Sequence, residues 1–355
     1  MPGHDLIVVG ASAGGVDALK ALVEGLPGDL RAAVAIVLHI PPESPSVLPR
    51  VLGRHSAMAV RHASEGEPIE YGTIYVAPPD HHLLVYGNRL RLGSGPRENG
   101  FRPAIDPLFR SAALAYGPRA IGVVLSGTLD DGTAGLATIK DAGGLTVAQD
   151  PEDALYPSMP ESAIEHVGVD HVAPAADVAS LLTRLVAVPV SPGVEGEMPD
   201  DAKIEVDVAW LAPQAIERRP RPGTPSGFGC PECGGSLFLL DDHDVMHFRC
   251  RVGHAWSIES LLAAQGSALE VALWTALRAL EEQTTLADHI ADRLRKRGST
   301  TSAQRFEEQA ADTRTHARVI RAALEQRRSA ARRDSSAPRV LRAPAVRSED
   351  VGESA

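Results

Sequence analysis

The chain has 355 residues, a formal net charge of -11, 44% hydrophobic and 23% charged residues, proportions of a globular protein long enough for more than one domain. The acidic balance argues against a nucleic-acid scaffold, which carries a basic face. No segment approaches the roughly 18 uninterrupted apolar residues of a membrane span, and "MPGHDLIVVG" enters a strand without a basic n-region or cleavage site, so a cytoplasmic location without membrane insertion is expected.

The first apolar run, Leu6–Val9, leads through a small-residue turn into an amphipathic stretch, Val16–Gly25, with Val16, Leu19, Leu22 and Val23 at helical spacing. Runs at Val34–His39, Ile74–Ala77, Ile121–Ser126 and Leu145–Ala148 are almost wholly apolar, as parallel strands covered on both faces are. A second helical pattern spans Asp106–Tyr116, and "HLLVYGNRLRL" at His82–Leu92 predicts a hairpin turning at Gly87-Asn88. This alternation predicts a doubly wound α/β domain with a mostly parallel sheet over residues 1–190. Proline, glycine and charge dominate residues 191–227, which predicts a linker with one short apolar piece at Val206–Leu211. Residues 228–257 form a cysteine/histidine unit. Residues 258–333 keep a three/four apolar spacing, interrupted at "RGSTTS", that predicts a helical hairpin or coiled-coil partner surface. Residues 334–355 have the composition of a disordered tail.

Chemistry concentrates at three strand ends. In Gly10-Ala11-Ser12-Ala13-Gly14-Gly15, Ser12 stands where a dinucleotide fingerprint needs its second glycine, and no acidic residue is clearly placed about 20 positions on. The run does fit Gly-x-Ser-x-Gly, which sets a serine on a sharp strand-to-helix turn beside free helix N–H groups. The alternative is an N-cap serine. His39 ends the strand "AVAIVLHIPP". It is either a satisfied core histidine or, if the two strands are adjacent and parallel, a base delivered to the same carboxyl edge as Ser12. "GVVLSGTLDDGTAGL" brings Asp130 and Asp131 to a third strand end, as an orienting carboxylate or a helix N-cap. A Ser-His-Asp set of this kind points to nucleophilic acyl chemistry. Its order along the chain, Ser…His…Asp, is not the Ser…Asp…His of the α/β-hydrolases.

These residues carry a resemblance. "VVGASAGGVDAL", "VLHIPP", "IYVAPPDHHLLV", "FRPAIDPLFRSAA", "GVVLSGTLDDGTAGL" and "QDPEDALYPSMPESAI" follow in the order of the catalytic domain of the chemotaxis protein-glutamate methylesterase (CheB) family, which the chain resembles over about residues 5–190. The resemblance implies a three-layer α/β/α esterase that needs no catalytic cofactor. It implies Ser12 as nucleophile, His39 as general base and acid, and Asp131, which directly precedes Gly132, as the histidine's partner. The backbone N–H groups of Ala13 and Thr128 are expected to bind the oxyanion, and Arg102 to line the cleft or, alternatively, to form a surface ion pair. Ala13 replaces the family's common threonine, and Gly127-Thr128-Leu129 replaces its Gly-Met-Gly. The implied reaction is hydrolysis of glutamate methyl esters on a chemoreceptor or related signalling protein, releasing methanol, with glutamine deamidation as a second activity. The family's phosphoacceptor receiver domain is not seen before the esterase strand, so a separate regulator is expected.

Cys230-x2-Cys233 and Cys250-x3-His254, sixteen residues apart, have the spacing of a tetrahedral structural zinc site with no open position. A redox Cys-x-x-Cys is the alternative, and His243 and His247 compete with His254 as fourth ligand. The second class of function left open is a catalytically weak adaptor that signals through this unit and the helices beyond it.

Overall fold

In the computed structural model residues 3–43, 46–190, 200–211, 223–242 and 245–334 are described, and the chain forms two compact units that divide between Gln265 and Gly266. The first unit is built on a parallel sheet of β1 (Leu6–Ala11), β2 (Ala33–Leu38), β3 (Ala59–His62), β4 (Thr73–Val76) and, after the antiparallel hairpin β5 (His82–Tyr86) and β6 (Arg89–Gly93), β7 (Ala120–Val124), β8 (Leu145–Gln149) and β9 (His171–Ala173). Its order is β3-β4-β2-β1-β7-β8-β9.

Helices α1 (Gly15–Gly25), α2 (Leu48–Leu52), α3 (Ile105–Tyr116), α4 (Thr133–Asp141), α5 (Ser158–Val167) and α6 (Ala175–Val186) cover its two faces. Strand residues alternate between those faces. Leu6, Val8, Ala35, Val37 and Val124 pack with Leu108, Phe109 and Ala112 of α3. Ile7, Val9, Val34, Ile36 and Val123 pack with Leu19, Leu22 and Val23 of α1 and with Leu182 of α6. Double coverage is why these strands are apolar throughout rather than at every second position.

The parallel register sets the strand ends level. Ala11 pairs with Leu38, and Gly10 pairs with both Val37 and Val124. Strand β1 is also where the chain changes its direction of travel across the sheet, toward β2 on one side and β7 on the other. Crevices open beyond the carboxyl ends of strands at such a switch point.

The five expected parallel strands and the hairpin are present, with ends shifted by one or two residues. Two strands of the parallel sheet escaped the periodicity: β3, whose residues are exposed or half-buried, and β9, only three residues long. The linker expectation for 191–227 needs correction. Residues Asp200–Trp210 form a helix, α7, and Thr224–Gly229 form β10, while 191–199 and 212–222 lie outside the described residues. Helix α7 lies against α3, β5 and β6. Its close approach is possible because Gly93 and Gly95 carry no Cβ: one added there would stand 2.3 and 2.4 Å from the Ala209 carbonyl oxygen.

Strands β10, β11 (Ser236–Asp242), β12 (Val245–Cys250) and β13 (Ala255–Ser257) make an antiparallel meander around Leu237, Phe248 and Trp256. The expected helical hairpin is α8 (Ile258–Lys296) and α9 (Thr300–Asp334). In the second unit Leu273, Leu277 and Leu280 of α8 pack with Ala317, Ile320 and Leu324 of α9, and Arg314 pairs with Asp288 at 2.6 Å. By length and composition alone α8 is apolar enough to cross a membrane, its best 18 residues reaching a mean hydropathy of 1.2. The expected tail beyond Asp334 lies outside the described residues.

A Cβ at Gly10 would stand 2.3 Å from Ile105 Cγ2 in the closed core between β1 and α3. Gly10→Ala is therefore expected to lower stability by about 1–3 kcal/mol through overpacking. Urea unfolding measures it, and an unchanged midpoint would show that Ile105 moves aside freely.

Candidate active site and cysteine cluster

Ser12 leaves β1 at the carboxyl edge, its N–H donating to the Ser126 carbonyl at 3.0 Å and its own carbonyl accepting from Gly15 N–H at 2.9 Å. The turn needs glycine at position 14, where φ is +71° and a Cβ would fall 2.8 Å from Ser126 Oγ. His39 follows β2, its N–H donating to the Ala11 carbonyl at 3.2 Å, which keeps the two loops in step. Ser12 Oγ–H donates to His39 Nδ1 at 3.0 Å, and His39 Nε2–H donates to Asp131 Oδ2 at 2.7 Å. The two ring nitrogens have the opposite assignment to that in the chymotrypsin triad. Phe101 lies flat on the imidazole, 3.8 Å between centroids and 3° between planes.

Asp131 is 2% exposed, so its charge must be satisfied internally. Besides His39, its carboxylate accepts from Ile105 N–H at 2.8 Å, Asp106 N–H at 3.4 Å and Asn99 Nδ2 at 2.9 Å. Burial alone would raise its pKa. Hydrogen bonding and attraction to His39, then the Ile105 N–H and the Asn99 amide, outweigh burial and hold it at about 2. Asp106, buried beside it, goes the other way: burial, then the Asp131 charge, lift it well above the carboxylate range. Asp130 points away from the histidine and accepts from Ser257 Oγ–H and, at 3.2 Å, from Ser260 Oγ–H.

The structure thus brings Ser12, His39 and Asp131 together. Ala13 is half-buried in the serine turn, and Thr128 is exposed on the loop after β7. That loop touches Ser12 at Gly127, where a Cβ would stand 2.9 Å from Ser12 Cβ. Arg102 is engaged as the ion pair that the sequence left open. Its Nη2 and Nε lie 2.6 and 3.0 Å from Asp80 Oδ1, and its Nη1 donates to the Gly95 carbonyl at 2.8 Å. Sequence reasoning missed Asn99 and Phe101. The one local signal was Asn99-Gly100, a turn dipeptide, and Asn99 does take φ +52°.

Cys230, Cys233, Cys250 and His254 place their donor atoms within 4.8 Å of one another, an arrangement that can hold a metal ion. Cys230 and Cys250 each close a tight turn: Gly234 N–H donates to Cys230 O at 2.8 Å, and Gly253 N–H to Cys250 O at 3.0 Å. His247 is turned instead to Glu205, at 2.9 Å, and His243 lies outside the described residues. Burial, with the neighbouring thiols, pushes the Cys250 thiol up to about 11, so Cys250 by itself holds a proton that a divalent cation would displace.

The cysteine unit is joined to the α/β domain through buried charge. Arg249 of β12 reaches Glu98 Oε1 at 3.0 Å, Glu205 Oε1 of α7 at 3.0 Å and the Gly253 carbonyl at 2.7 Å. Arg110 of α3 pairs with Glu98 and, at 3.1 Å, with Glu205. The two guanidiniums hold Glu98 below its usual pKa, and Glu205 well below, against the burial that would raise both.

A CheB methylesterase family profile matches residues 7–182. A Leptospira interrogans protein with protein-glutamate methylesterase/protein-glutamine glutaminase in its name is 40% identical over 183 residues, 51% of this chain and 95% of its own. An Anaeromyxobacter dehalogenans protein-glutamate methylesterase/protein-glutamine glutaminase 2 is 40% identical over 51% of this chain and 53% of its own length. The crystal structure of the Thermotoga maritima CheB methylesterase catalytic domain superposes with a TM-score of 0.50 at 33% identity, covering 52% of this chain and all of that one.

Burial pushes Asp130 up to about 6 from an ordinary 3.8, with Glu259 and Asp131 adding to it and the two serine hydroxyls opposing it. Its contribution to stability is therefore complete below about pH 4 and lost as pH rises through about 6, a difference of order 3 kcal/mol. Asp130→Asn is expected to be more stable than wild type at pH 8 and to lose most of that advantage at pH 4. Urea midpoints at the two pH values measure it, and an equal advantage at both would show that the carboxyl is not desolvated.

Proposed function

Because the chain belongs to the CheB methylesterase family, we propose that it is a serine hydrolase that cleaves glutamate methyl esters on a methylated chemoreceptor or related cytoplasmic signalling protein. The observation that carries this reading is the continuous hydrogen-bonded line from Ser12 Oγ through the His39 ring to the buried Asp131 carboxylate. His39 Nδ1 takes the Ser12 proton as Oγ attacks the ester carbonyl. The backbone N–H groups of Ala13 and Thr128 are assigned to the oxyanion, where preorganised donors contribute most. The imidazolium, stabilised by Asp131, returns the proton to the departing methoxide, and methanol leaves. Water, deprotonated by His39, then hydrolyses the acyl-enzyme to free glutamate. A glutamine side chain enters the same sequence with ammonia as the leaving group. Arg102 enters as a brace for the loop carrying Asn99 and Phe101.

A protein substrate suits the rim of the site, where Leu155, Tyr156 and Val16 are exposed beside the serine turn, Leu155 by 71%. Methanol release from a receptor cytoplasmic domain methylated on glutamate tests the reading. Ser12→Ala is expected to lose about 10³-fold or more in kcat. No methanol from the wild-type protein, or an undiminished rate in the variant, would overturn it.

We also assign Cys230, Cys233, Cys250 and His254 to a structural zinc ion. Three thiolates and an imidazole complete its tetrahedral shell and leave no position for catalytic water. The purified chain is expected to carry about one zinc, and Cys230→Ser to lose it. Metal analysis that finds no zinc in the wild-type protein would overturn the assignment.

A further inference from the structure

The cysteine unit touches the α/β domain at the residue that orients Asp131. Asn99 N–H donates to the Ala255 carbonyl at 2.8 Å, and Ser257 N–H donates to Asn99 Oδ1, also at 2.8 Å. Ala255 directly follows the metal-cluster residue His254. With its backbone N–H and its side-chain Oδ1 both bonded to β13, the Asn99 amide has one orientation left, and its Nδ2 donates to Asp131 Oδ1 at 2.9 Å. One residue earlier Glu98 is fixed by Arg249, which also grips the Gly253 carbonyl inside the Cys250–His254 turn. Two residues later Phe101 stacks on His39. Segment 98–101 is thus clamped by the cysteine unit on one side and forms the back wall of the triad on the other.

We propose that Asn99 is a positioning residue for the triad and that the cysteine unit, through β13, is a working part of the esterase site. Order in the Cys230/Cys233/Cys250/His254 cluster sets the direction of the Asn99 amide, and that sets the carboxylate against which His39 is held. The metal then has an effect on catalysis without touching substrate. This rests on the triad and metal assignments above, and it differs from them in what it couples.

The test uses the full chain and reads the triad without substrate. In histidine-labelled protein the Nε2–H proton of His39 gives a hydrogen-bonded imidazole resonance, assigned by its loss in His39→Gln. Asn99→Gly keeps the positive φ and removes only the amide. Cys250→Ala disrupts the cluster at a distance from the triad. Each is expected to shift or broaden the resonance, while amide spectra show the α/β domain still folded. Should Cys250→Ala fail to fold, Asn99→Gly decides alone.

In the methanol assay each variant is expected to lower kcat by roughly 10- to 100-fold with KM within about twofold, as misplacement of a catalytic group does. The double variant is expected to be no worse than the poorer single one, because both act through one link. An unmoved His39 resonance in Asn99→Gly, or in a folded Cys250→Ala, overturns the proposal, and so does multiplication of the two effects in the double variant. If the wild-type protein releases no methanol the esterase reading fails, and the resonance still decides whether cluster and triad are coupled.

Discussion

The ionised carboxylate of Asp131 is the group around which the site is organised. A carboxylate removed from water costs several kcal/mol unless donors replace its hydration. Here the donors come from distant parts of the chain: the His39 ring after β2, the Asn99 amide, and the first N–H groups of α3 at Ile105 and Asp106. The positive end of the α3 dipole faces the same charge. Meeting this one demand fixes where the 98–104 segment runs, where α3 begins and which way the imidazole faces. Ser12 adds only the last bond to a framework already closed on the acid side.

Other acids crowd the same region, and the protein treats them in two ways. Glu98 and Glu205 keep their charge between Arg110 and Arg249, all four buried. Burial raises Asp106 and Asp130, against the N–H groups of Gly132 and Gly135 that Asp106 accepts and the serine hydroxyls that Asp130 accepts. The Glu98–Arg249 and Glu205–Arg110 pairs also join the cysteine unit and α7 to the α/β domain. Removing one member of such a set strands a buried charge, so the junction is specific in a way that an apolar contact of equal area is not.

The parallel strands and the turn at Ser12 were legible because each is a local pattern: apolar runs for doubly covered strands, small residues for a sharp turn. The Cys-x2-Cys and Cys-x3-His spacing was legible for the same reason. Choosing Asp131 over Asp130 needed the family resemblance, since both follow β7 and only the fold turns one inward. Strand β3 escaped because an edge strand with exposed side chains has no apolar signature. Helix α7 was hidden in a Pro-, Gly- and charge-rich stretch, and its buried Glu205 is explained by Arg110, His247 and Arg249, far away in the chain. Asn99 was invisible for the deepest reason. Its role depends on two partners, Asp131 and Ser257, 32 and 158 residues distant, and no spacing rule connects them.

The placement of the cysteine unit follows from the sheet. Helices occupy both faces, which leaves the carboxyl edge as the side where an added element can reach the loops that carry His39, Asn99 and Asp131. At that edge β13 meets Asp130 and Asn99 through Ser257. The result is asymmetric: Asp131 is shut away from water, and Ser12 stays half-buried beside exposed Leu155 and Tyr156. In the proposed reaction the ester carbonyl reaches Ser12 from that open side. The closed side keeps water from competing for the carboxylate, so the hydrogen bond that orients His39 is made in a low-dielectric setting where it is strongest.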